Sequence, residues 1–86
     1  MFFVYILYSK KSNSFYKGQT CDLDDRLRRH NAGYEKATAK GTPWELVWYI
    51  TKKTRSEAVI LERKLKNLSH SRIERFVEKY KDSSSQ

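Results

Sequence analysis

Five residues carry side chains whose types and spacing could do acid–base or electrostatic chemistry: Tyr5, Tyr16, Arg26, His30 and Glu62. Glu62 lies four residues after Ala58 and three before Leu65, on or beside the face of a helix that should enter a core. An ionised carboxylate drawn partly out of water costs several kcal/mol unless it is paired, protonated or bound to a metal. It therefore needs a partner: Arg26, Lys66 or another cation by ordinary ion pairing, or a divalent metal. Mg²⁺ usually takes one or two protein carboxylates and fills its remaining positions with water and phosphate, so a single glutamate suffices.

Arg26 presents five fixed donors that can grip an oxyanion bidentately at any working pH. It equally suits an ion pair with Asp22, four residues earlier. His30 follows Arg26 at the same spacing, so the two point together; it reads as a charge complement at a helix C-terminus, a proton carrier or a phosphate contact. Tyr5 and Tyr16 are poor bases at an ordinary phenol pKa of about 10, and would need a metal, Arg26 or a lysine nearby to favour the phenolate. Cys21, with aspartates around it, is a poor candidate nucleophile.

These side chains must be positioned by a small number of elements. Phe2 to Tyr8 is continuously aromatic or branched and ends at polar Ser9–Asn13, the pattern of a strand covered on both faces and followed by a turn. Residues 15–19 can return as its hairpin partner, which puts Tyr5 and Tyr16 on neighbouring strands in a register the sequence leaves open. Thr20 or Asp22 can cap a helix running to about Asn31, with aspartates at its start and Arg28, Arg29 and His30 at its end. Residues 32–43 form a loop long enough to suggest a job beyond connection, with Lys36 and Lys40 available to an anion.

Trp44, Leu46, Trp48 and Ile50 alternate with Glu45, Val47 and Tyr49, which predicts a third strand with one strongly apolar face. Thr54 and Glu57 form a capping-box signature before a helix over about 55–67. Ser71 and Glu74 repeat that signature before a last helix carrying Ile73, Phe76, Val77 and Tyr80 at helical spacing. Asp82 to Gln86 is polar and predicts a disordered tail beyond a domain spanning 1–81. The order ββαβαα predicts an α+β fold, a three-stranded antiparallel sheet flanked by helices.

Composition narrows the classes. Eighty-six residues allow one domain, with no room for a cofactor domain beside a substrate domain. The single Cys excludes a disulfide scaffold and a multi-thiolate zinc site, and suits a reducing cytoplasm. The longest apolar stretch, Met1–Tyr8, is far short of a membrane span, so no membrane is expected. Eighteen Lys plus Arg against ten Asp plus Glu leave a formal charge of +8, whose summed field concentrates polyanions, nucleic acid first among them. Lys17, Arg28, Arg29, Lys36 and Lys40 are the candidate backbone contacts.

Taken in order, Val4-Tyr5-Ile6, Tyr16-Lys17-Gly18, Arg26 with His30, Thr42-Pro43-Trp44 and Glu57-Ala58 followed by Glu62 resemble the GIY-YIG nuclease family over about residues 2–70. The likeness is greatest to its small stand-alone bacterial members. The resemblance implies metal-dependent endonuclease cleavage of DNA. Tyr5 and Tyr16 would match the tyrosines of the two name-giving motifs, Gly18 the second glycine, Arg26 the arginine, His30 the histidine and Glu62 the ligand of Mg²⁺ or Mn²⁺. The chain departs from the pattern at Phe3-Val4, at Lys17 and at Gln19, where several relatives have a lysine. Two other readings stand beside it: a non-catalytic nucleic-acid-binding module on the same fold, and an interaction domain whose tyrosines and glutamate only pack. With no reader domain, sequence specificity would come from a partner protein; oligomeric state is left open.

Overall fold

A computed structural model describes residues 1–80; the expected tail at 82–86 lies outside the described residues. The elements run β1 (Phe2–Ser9), β2 (Ser14–Thr20), α1 (Leu23–Asn31), a short 3₁₀ turn (Ala39–Gly41), β3 (Glu45–Lys52), α2 (Arg55–Lys66) and α3 (His70–Tyr80). The sheet is antiparallel in the order β2-β1-β3. The fold is thus the expected α+β arrangement, ββαβαα. The uninterrupted apolar strand takes the centre, where both faces are covered. No described helix is long and apolar enough to cross a membrane.

β1 divides the core by side-chain parity. Val4 and Ile6 point to one face and pack with Trp48, Ala58 of α2, Leu65 of α2 and Ile73 of α3. Tyr5 and Leu7 point to the other and pack with Trp44, Tyr16, Leu46, Tyr49 and the Leu23–Leu27 seam of α1. One expectation fails here. β3 does not keep a single apolar face, because its pairing with β1 slips between Ile6↔Trp48 and Leu7↔Leu46, leaving Val47 as the extra residue of a bulge. Trp48 and Ile50 therefore face α2 and α3, whereas Leu46 and Trp44 turn toward α1.

The helix starts follow local chemistry. Asp22 caps α1 by accepting from the Asp25 backbone at 3.0 Å. Thr54 and Glu57 close a reciprocal capping box on α2. The cap expected at Ser71 is instead at Ser69, whose Oγ accepts from Arg72 N at 3.3 Å, so α3 begins before Ser71. In the β1–β2 turn Asn13 adopts φ 50°, a left-handed conformation that asparagine tolerates, and its Oδ1 accepts from the Tyr8 hydroxyl at 2.9 Å.

Candidate active site

The strand register brings the two phenols together. Tyr5 pairs with Gly18, and Tyr16 pairs with Leu7, one alternate position along the same face. A Cβ on Gly18 would meet Tyr5 Oη at 2.7 Å and Tyr16 Cε2 at 3.1 Å. Only a residue without a side chain lets the Tyr5 ring lie across β2 there. The ring centroids of Tyr5 and Tyr16 stand 6.3 Å apart. α1 then lays His30 against both, with centroids 5.9 Å from Tyr5 and 4.8 Å from Tyr16, and Tyr16 also meets Trp44 at 6.4 Å.

His30 is fully buried, so its role as an exposed charge complement or direct phosphate contact is not what this structure displays. Its protonation pattern follows from its neighbours. We assign the tautomer from these partners: with the Thr38 hydroxyl proton given to the Glu35 carbonyl at 3.3 Å, Oγ1 accepts from His30 Nδ1–H at 2.8 Å. Burial holds the imidazole pKa below its usual value; Glu35 raises it and Arg26 lowers it further. A neutral ring protonated at Nδ1 leaves Nε2 as an acceptor, and the Tyr5 hydroxyl donates to it at 3.0 Å. Thr38 is itself fixed, because its carbonyl accepts from Trp44 Nε1 at 2.7 Å. Trp44 is held by Asn31, which accepts from Trp44 N and donates to Trp44 O.

Tyr5 is 1% exposed, and burial pushes its hydroxyl well above the ordinary phenol range, with Tyr16 adding to the effect. The charge of the nearby Arg26 guanidinium pulls in the opposite direction. The alternative partner of Arg26 is otherwise engaged: Asp22 caps α1, while Asp25 takes both Arg28 and Arg29, the latter at 2.9 Å. Tyr16 is only half-buried, which makes it the phenol of the pair open to water.

Glu62 is placed differently. It is carried by α2, which packs on the other face of the sheet, and its Oε2 pairs with Lys66 Nζ at 3.3 Å with 18% of the glutamate side chain exposed. Lys17 belongs to that side as well: it pairs with Ile6, is half-buried, and has its pKa lowered by burial and then by Lys66. The edge strand β2 thus separates Tyr16 on one face from the Lys17, Lys66 and Glu62 group on the other. No cluster of three or more His, Cys, Asp or Glu converges among the described residues. A hard cation bound through Glu62 would have that one carboxylate, with water and phosphate to complete its shell, which is within the usual habit of Mg²⁺. Arg28, Arg29, Lys36 and Lys40 are exposed around α1 and its following loop. A cleft of about 390 Å³ lined by Phe3, Cys21, Asp22, Leu23, Asp24, Leu46 and Tyr49 contains none of the five candidates.

Sequence reasoning missed Thr38, Glu35 and the supporting pair Asn31–Trp44. The available signal was the length of the 32–43 segment, which folds back over His30 instead of merely joining α1 to β3.

Comparison with known proteins gives the family and the fold. The GIY-YIG catalytic domain matches residues 1–81. The chain belongs to the GIY-YIG family. A UPF0213 protein of Haloquadratum walsbyi is 33% identical over 81 residues, covering 93% of this chain and 90% of its own. The UPF0213 protein YazA of Bacillus subtilis is 35% identical over 74 residues, covering 85% and 75%. The solution NMR structure of a UPF0213 protein from Bacillus halodurans superposes with a TM-score of 0.58 at 35% identity, over 91% of this chain and 84% of that one. These relatives are themselves small, so the GIY-YIG domain accounts for nearly all of the chain.

Proposed function

We propose that this GIY-YIG domain is a divalent-metal-dependent endonuclease that hydrolyses DNA phosphodiester bonds, with a place in repair or recombination on structured DNA in the cytoplasm. The observation that carries the reading is the convergence of Tyr5, Tyr16, Arg26 and His30 around Gly18 on one face of the sheet. Arg26 clamps the scissile phosphate with its fork of donors. Tyr16, the more accessible phenol, takes the proton from the attacking water. Tyr5, His30 and Thr38 form a row behind it that fixes Arg26 and excludes solvent. Glu62, carried by α2 along the same edge strand β2, would hold one Mg²⁺ or Mn²⁺ for a phosphate lying across that edge, where the ion would supply charge neutralisation and stabilisation of the departing 3′ oxygen. Arg28, Arg29, Lys36 and Lys40 hold the backbone on either side.

One observation favours a second reading. The Glu62–Lys66 ion pair, on the face opposite the tyrosines, suits a basic nucleic-acid-binding module that keeps the fold without cleaving. Incubation of the parent with plain, nicked, branched and flapped duplexes, with Mg²⁺, Mn²⁺ or chelator, separates the two. The nuclease gives metal-dependent products with 5′-phosphate and 3′-hydroxyl ends; binding without products on every substrate supports the module.

A further inference from the structure

The outer surface of α3 plays no part in the cluster above, yet it is organised. Arg72, Arg75 and Lys79 stand at i, i+3 and i+7 and, with Leu68, Phe76 and Tyr80, line an open cleft of about 390 Å³ that contains no acidic residue. The aromatic floor is tied to the core: Trp48 meets Phe76 edge-on at 4.9 Å, and Phe76 meets Tyr80 at 4.9 Å. Lys79 Nζ lies over the Tyr80 ring, 5.2 Å from its centroid. At 100° per residue Glu74 and Glu78 stand about 100° and 60° from Arg75, flanking the stripe, and neither lines the cleft.

We infer that this face of α3 is a second DNA contact, a duplex-backbone clamp separate from the scissile site. Seven residues of helix span about 10 Å, and phosphates of one strand advance about 3.4 Å per step, so three cations along that length match a short run of backbone. Lys79 lies over the Tyr80 ring, so less of its side-chain freedom is lost on engaging phosphate than for an unsupported chain, and Arg72 and Arg75 line the same cleft. α3 packs on the sheet face opposite Tyr5, Tyr16 and His30 through Ile73, Phe76 and Val77. Duplex held there adds affinity without touching Tyr5, Tyr16, Arg26 or His30. This inference rests on the DNA-cleaving reading for its choice of partner.

The test compares the parent with the triple variant Arg72→Gln/Arg75→Gln/Lys79→Gln and with a control of equal charge change, Lys10→Gln/Lys11→Gln/Lys53→Gln. Binding to a plain duplex is titrated against salt in chelator, with circular dichroism to verify folding, and cleavage is followed separately with Mg²⁺. The α3 triple should lower the slope of log K against log salt by about 2–3, and the control by clearly less. Cleavage at saturating protein should be unchanged. An unaltered slope, or equal loss in both triples, overturns the clamp. So does loss of binding to phosphatidylglycerol vesicles with duplex binding intact. None of these results bears on whether the parent cleaves at all, so the two readings fail separately.

Discussion

The Tyr5 hydroxyl donates to His30 Nε2 across 3.0 Å, inside a core where neither residue is more than 1% exposed. This one bond ties the central strand to the end of α1 and commits the Tyr5 proton to the imidazole. Buried and committed to His30, with the Arg26 charge nearby, the Tyr5 phenol has no free role toward water, and Tyr16 is left as the more accessible of the two.

The two tyrosines should therefore behave differently when each loses its hydroxyl. Tyr16→Phe is expected to reduce kcat by about 10²–10⁴, the usual contribution of a general base, with little change in thermal stability. Tyr5→Phe leaves His30 Nε2 buried and unpaired and should cost about 1–3 kcal/mol of stability. Paired melting curves and single-turnover rates distinguish them; equal profiles for the two variants would contradict the assignment.

Thr38 sets the tautomer of His30. Thr38→Val removes the acceptor of Nδ1–H and should lower Tm by roughly 4–24 °C, taking about 1–3 kcal/mol and the usual scaling for a domain of this size. Thr38→Ser should restore most of it. ¹⁵N shifts of the imidazole give a direct reading: Nδ1 protonated in the parent and in Thr38→Ser, mixed in Thr38→Val. A parent ring protonated at Nε2 would refute the hydrogen-bond direction.

Because burial lowers the His30 pKa in the folded chain, the unfolded chain binds an extra proton below its own pKa of about 6.5. Stability is then complete above that pH and declines as pH falls toward the folded pKa, by at most about 1.4 kcal/mol per pH unit from this group. Urea unfolding between pH 7.5 and 5 should show that decline in the parent and a shallower one in His30→Gln. Identical slopes would show that His30 is not the titrating group.

Much of this was legible beforehand. The apolar run of β1, the Thr54–Glu57 box and the i, i+4 spacing of Arg26 and His30 are local signals, and local signals survive folding. What could not be read were relations set by tertiary pairing. The bulge at Val47 sends Trp44 toward His30 although strict alternation would put it beside Trp48. Thr38 looks like any loop threonine until its loop closes. The face on which Glu62 lies depends on how α2 docks, which spacing along one helix does not specify.

The Lys66 ammonium competes with any cation for Glu62. A helical i, i+4 pair is worth about 0.3–0.5 kcal/mol, and with the Glu62 side chain only 18% exposed that is a lower bound, so Lys66→Met should reduce the Mg²⁺ concentration for half-maximal cleavage at least about twofold. An increase would mean that Lys66 supports the site instead of masking it.

Single-turnover cleavage of a duplex in Mg²⁺ by the parent, Glu62→Ala and Arg26→Ala, each at a concentration that saturates binding, bears most directly on the catalytic claim. The account predicts that both variants bind but cleave at least about 10²-fold more slowly, the scale lost when a group stabilising transition-state charge is removed. Cleavage by Glu62→Ala at the parent rate would contradict it.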